Sequence, residues 1–181
     1  MNRKIRWITE TALMLALLVA LQELTKPMGQ LITGSCVNMV LAVTALLAGL
    51  YSAIAVALIS PVLAYLFGIA PQILTVPAIM AGNMVFVVLL YCLMGKDGKG
   101  LIRQVIAWLG AAAGKFAVLY AIVVWLICGV FAEDLLAAGV LKAPMLQVLP
   151  VTFSWMQLAT ALIGGAIAIL LIPLLRKAIH K

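Results

Sequence analysis

The chain has 181 residues, of which 67% are hydrophobic and 9% charged, and a formal net charge of +7. Soluble domains carry about 25% charged residues, so a soluble globular domain is excluded and a bilayer is the expected solvent. The positive charge does not indicate nucleic acid, because the basic residues sit at the ends of apolar segments and not on an aromatic-studded polar surface.

At about 20 residues per span, the length suits a single domain, residues 1–181, forming an all-α membrane protein with six transmembrane helices. The first span covers residues 8–25 and stops at Lys26-Pro27, since proline disfavours helix in the residue before it. No cleavable signal peptide is expected, because no small-residue cleavage motif follows this stretch. The second covers residues 35–48, with a tight turn at Gly49. The third covers residues 51–67 and is expected to kink at Pro61. The second and third are both short for a bilayer. The fourth covers residues 73–94, with Pro77 disturbing its start, and leads into the basic loop at residues 96–100. The fifth covers residues 101–129. Residues 131–151 are apolar but broken by Pro144 and Pro150, and read as a lid or a short interfacial helix. The sixth covers residues 152–175.

Lysine and arginine counts set the orientation. With six spans, Arg3, Lys4, Arg6, Lys96, Lys99, Arg103, Arg176, Lys177 and Lys181 share one side, and Lys26 and Lys142 the other. Nine against two predicts a plasma-membrane protein with both termini cytoplasmic.

The twelfth basic residue, Lys115, has no charged neighbour within eleven positions on either side. It lies 14 residues from each end of the fifth span, or roughly 21 Å at 1.5 Å per residue. A charge at mid-membrane costs about 2.5–3.5 kcal/mol on insertion scales. A carboxylate partner, a water-filled cavity or a bound anion would offset that cost. Asn83 falls at a similar depth. Asn38, Ser154, Trp155 and Gln157 fall in the outer half, and Glu23 near the outer end of the first span. This asymmetry predicts an outward-open cavity with Lys115 at its floor and Asn38, Asn83, Gln157, Trp155 and Glu23 around it. Two readings of Lys115 stay open: contact with an anionic ligand, or an internal ion pair, for which Glu23 is the natural partner.

Ala12, Ala16 and Ala20 recur every fourth residue of the first span, a spacing that lets another helix approach closely. Gly110 and Gly114, with Ala161, Gly164, Gly165 and Ala168, are read as internal packing of the fifth and sixth spans. Cys36, Cys92 and Cys128 share no metal-like or disulfide-like spacing. No phosphate loop or HExxH occurs, His180 stands alone near the C-terminal end, and Glu133 and Asp134 have no catalytic company. No enzymatic activity and no cofactor are expected.

The alanine motif, six short spans with the N-terminus inside, and the stretches GSCVNMVLAVTALLAG and ISPVLAYLFGIAP resemble the substrate-binding S component of an energy-coupling factor transporter. The resemblance implies capture of a vitamin or related micronutrient in an outer pocket closed by outer loops. It also implies a transmembrane coupling subunit and two cytoplasmic ATPases as partners, with the alanine face of the first helix against the coupling subunit. A structural membrane scaffold of the cell-shape machinery and a stand-alone secondary carrier are the competing readings.

Overall fold

In a bilayer every backbone N–H and C=O must find its partner within the protein, which leaves apolar runs such as these the helix as their natural form. The computed structural model describes residues 2–69, 72–94 and 100–179; among these, every regular element is helical and no strand occurs. Lys96, Lys99 and Lys181, which enter the orientation count, lie outside the described residues, as do Asp97 and His180.

α1 spans Arg3–Thr25 and runs into a 3-10 turn at Lys26–Met28. α2 (Gln30–Val43) continues without a break as a π-helical segment, Thr44–Ala48. This helix therefore starts five residues before the predicted position 35. Gly29 at φ 87° makes the turn itself and frees Gln30, the next residue, to begin the helix. Gly49, at φ 92°, makes the turn into α3 (Leu50–Leu66), which runs through Pro61. A 3-10 turn at Ile73–Thr75 leads into α4 (Val76–Met94). Pro77 thus falls in the first helical turn, where its missing N–H has no partner to lose.

α5 (Leu101–Leu119) extends as a π-helix to Val130. The predicted lid segment folds into two short helices, α6 (Ala132–Ala137) and α7 (Met145–Phe153), and a break at Ser154 leads into α8 (Trp155–Ile179). Five stretches are long and apolar enough to cross a membrane: Arg3–Met28, Gln30–Ala48, Ile73–Met94, Leu101–Val130 and Met145–Ala178. The apolar α3, at 17 residues, is shorter.

The bundle is apolar on its outside as well as in most of its core, and a smaller set of polar side chains is buried within it. Leu13, Leu17, Ile32, Ile59, Ile106, Ile163 and Leu170 face outward, while Thr11 and Ser52 hydrogen-bond to each other in the interior at 3.0 Å. An apolar exterior of this extent is compatible with a multi-pass membrane protein.

Interhelical contacts sort the helix ends. At one end Arg176 donates to the carbonyl of Leu46 and Arg103 to that of Leu93, and Arg3 and Arg6 lie beside the Gly49 turn. The start of α1 and the end of α8 therefore share this end. At the opposite end Thr33 donates to the carbonyl of Thr25 and Lys26 to that of Phe67. There Leu141, Leu149 and Phe153 pack with Ala78, Leu119, Val123 and Ile127 in a small apolar cluster. Residues 131–153 are thus tied down onto α4 and α5.

Glycines set the closest approaches. A Cβ on Gly164 would meet the backbone of Ser35 and Met39 on α2, and one on Gly165 would meet the Trp108 ring, whose Nε1 donates to the carbonyl of Leu162 at 2.9 Å. Gly110 and Gly114 are internal, as expected, but face Leu93 and Leu89 of α4.

Candidate functional site

A cavity of about 90 Å3 lies in the half of the bundle away from the terminal ends. Roughly 10–15 Å3 suffices for one water, so it has room for several waters or a small ligand. α1 contributes Gln22, α2 contributes Thr33 and Asn38, and α3 contributes Ser60. α4 contributes Asn83, α5 Lys115, α7 Phe153, and α8 Gln157.

Lys115 is 2% exposed. Its Nζ donates to Asn38 Oδ1 and to Asn83 Oδ1, each at 2.7 Å, and lies 5.8 Å from the centre of the Phe86 ring, within cation–π range. An ammonium has three N–H donors, so one remains beyond these two bonds. Asn38 turns its amide nitrogen to the Gly34 carbonyl at 2.9 Å and to Thr160 Oγ1 at 3.3 Å. The geometry exists because Gly34 and Gly164 let α2 and α8 come together: a Cβ on Gly34 would sit 2.8 Å from Thr160 Cγ2. Asn83, predicted at the depth of Lys115, and Asn38, predicted in the outer half, both contact the lysine directly.

Among the described residues no carboxylate lines this cavity. Among the described residues the one salt bridge is the Arg6–Glu10 pair at 2.7 Å, far from the site. Glu23 is exposed and does not meet Lys115. The physical reason is rotational. At 100° per residue, Glu23 lies about 20° from Ala12 and falls within the same stripe as Ala12, Ala16 and Ala20. Those three alanines are also exposed, so a helix that turns its alanines outward carries Glu23 outward with them. Trp155, the first residue of α8, is 59% exposed and does not line the cavity; its neighbour two positions on, Gln157, does.

Sequence reasoning missed Gln22 and Ser60. Three buried side-chain oxygens make no hydrogen bond among the described residues, Gln22 Oε1, Ser60 Oγ and Gln72 Oε1, and the first two line the cavity. Gln22 had a legible signal: it lies four residues after Leu18 and eleven after Thr11, and these three are the buried residues of α1. Ser60 had none, since a serine before a proline reads as a helix irregularity.

Among the described residues no cluster of His, Cys, Asp or Glu is arranged to hold a metal ion. No family model, curated protein or solved structure matches this chain.

Proposed function

We propose that the protein is the substrate-capture subunit of an ATP-driven importer of the energy-coupling factor type, binding a small anionic vitamin or related micronutrient from outside the cell. The observation that carries this reading is the cavity around Lys115. A buried ammonium held by two neutral amides, with one N–H left over and no carboxylate beside it, leaves its charge uncompensated, and an anionic ligand oxygen supplies what is missing. Orientation supports the same reading: the basic ends of α1 and α8 lie at the end of the bundle opposite the cavity, and the positive-inside rule assigns that end to the cytoplasm. Six membrane crossings follow if α3 spans despite its 17 residues. The outward alanines of α1 offer a close-packing face for a transmembrane coupling subunit. The sequence contains no phosphate loop, so energy would come from separate ATPases.

One observation favours a structural membrane scaffold instead: the two short bonds to Lys115 tie α2, α4 and α5 together without any ligand. A mild-detergent pull-down with the tagged full chain separates the readings. Recovery of a transmembrane subunit with two ATPases supports capture. Recovery of cell-wall machinery, or of the bait alone, supports the scaffold.

A further inference from the structure

The cavity wall carries two sets of polar groups that differ in kind. In one, Lys115 is a cation with one N–H to spare. In the other, Gln22 Oε1 and Ser60 Oγ are buried acceptors without donors among the described residues; the two residues are 7% and 1% exposed. They come from α1 and α3, whereas the Lys115 cluster comes from α2, α4 and α5. An unpaired buried acceptor costs about 1–3 kcal/mol, and a native interior keeps few of them unless a ligand or water completes them. The Gln22 amide offers an acceptor and a donor side by side, and the Ser60 hydroxyl offers both.

We propose that the ligand is a two-ended monoanion: a carboxylate, or another singly charged oxyanion, meets Lys115, and a neutral group bearing N–H donors, such as a carboxamide or lactam edge, meets Gln22 and Ser60. Charge counting sets the net charge. Among the described residues Lys115 is the one charged residue lining the cavity, so a second anionic group on the ligand would have no cation, and a cationic group would have no carboxylate. The specificity is double. A molecule with the acid alone leaves the Gln22 and Ser60 acceptors unpaired, and sites built to hydrogen-bond a substrate reject analogues that lack the matching group. This inference rests on the capture reading above.

The test is calorimetric titration of the full chain in lipid nanodiscs. The two-ended probes are the monoamides of straight-chain dicarboxylic acids from succinamate to adipamate, and 4-carbamoylbenzoate. The one-ended controls are the matching monocarboxylates and benzoate, with the matching amides. At least one two-ended probe is expected to bind ten-fold or more tightly than its one-ended counterparts. Gln22→Met and Ser60→Ala should bring that probe down to the affinity of the monocarboxylate while leaving the monocarboxylate itself unchanged, which also shows that the variants fold. Two-ended probes that bind no better than monocarboxylates overturn the role of the second set and leave the anion site standing. Absence of any carboxylate binding, or binding that survives Lys115→Met, overturns the capture reading and this inference with it.

Discussion

Lys115 on α5 donates to Asn83 on α4 across 2.7 Å, and among the described residues no carboxylate lines the cavity they share. The pairing is of a full charge with a dipole, so removing either partner has unequal consequences. Asn83→Leu leaves the ammonium buried with one acceptor fewer, and hydrogen bonds to charged groups contribute roughly 1.5–3 kcal/mol; a loss of about 2 kcal/mol is expected. Lys115→Met removes the charge but leaves both Asn38 Oδ1 and Asn83 Oδ1 buried without their donor, at about 1–3 kcal/mol each, and should cost more. Thermal unfolding of the purified full chain in mild detergent checks the order. A Lys115→Met variant more stable than Asn83→Leu would mean that burying the lysine's charge burdens the bundle more than its two hydrogen bonds stabilise it.

Gly164 controls how closely α8 approaches α2, and hence where Asn38 and Thr160 stand. Gly164→Ala places a Cβ against the backbone of Ser35 and Met39, which cannot rotate away as a side chain can. Overpacking of this kind costs about 1–3 kcal/mol. The variant should lose thermal stability and ligand affinity together. Stability unchanged within error would show that the two helices have slack.

Glu23 and Gln157 stood together as sequence candidates, and the structure separates them. Glu23→Gln and Trp155→Ala alter outward-facing groups and are expected to leave ligand affinity within two-fold. Gln157→Leu changes the cavity wall and should weaken binding ten-fold, about 1.4 kcal/mol. Binding isotherms of the three variants decide the matter, and a large effect of Glu23→Gln would reject the geometry of α1 described above.

Ala16 is exposed in the middle of the α1 stripe. Ala16→Leu adds bulk to a face that touches no other part of this chain's core, so thermal stability and ligand affinity should hold. Co-purification with the proposed coupling subunit should fall several-fold. A loss of stability without loss of assembly would place that face in internal packing.

The orientation is open to direct labelling. In a background with Cys36, Cys92 and Cys128 replaced by alanine, Lys142→Cys should react with a membrane-impermeant maleimide on intact cells. Lys177→Cys should react only after lysis. The reverse pattern would invert the cavity to the cytoplasmic side and end the uptake reading.

How much of this was legible before the fold is uneven, for definite reasons. Helix positions follow from apolar run length, and the main misplacement, the start of α2, came from a glycine turn that lets polar residues begin a helix. Lys115 stood out because an isolated charge in lipid is costly wherever it sits. Its partner Asn83 was legible by its depth and Asn38 by its place in the outer half, since both need only residue counts along helices of known rise. The Glu23 error arose from using depth without rotation: the α1 angles alone, once the alanines are taken as outward, send Glu23 outward too.

The sequence by itself determined the helical class, the apolar character compatible with a bilayer, the basic end and the position of polar groups along each helix, because each depends on composition or on counting along one helix. Only the tertiary structure decided which groups of equal depth meet. That depends on helix rotation and approach, which are set by contacts between distant segments such as Gly164 against α2 and Gly34 against Thr160. For the same reason the unpaired acceptors of Gln22 and Ser60 became visible only once the bundle had closed around them.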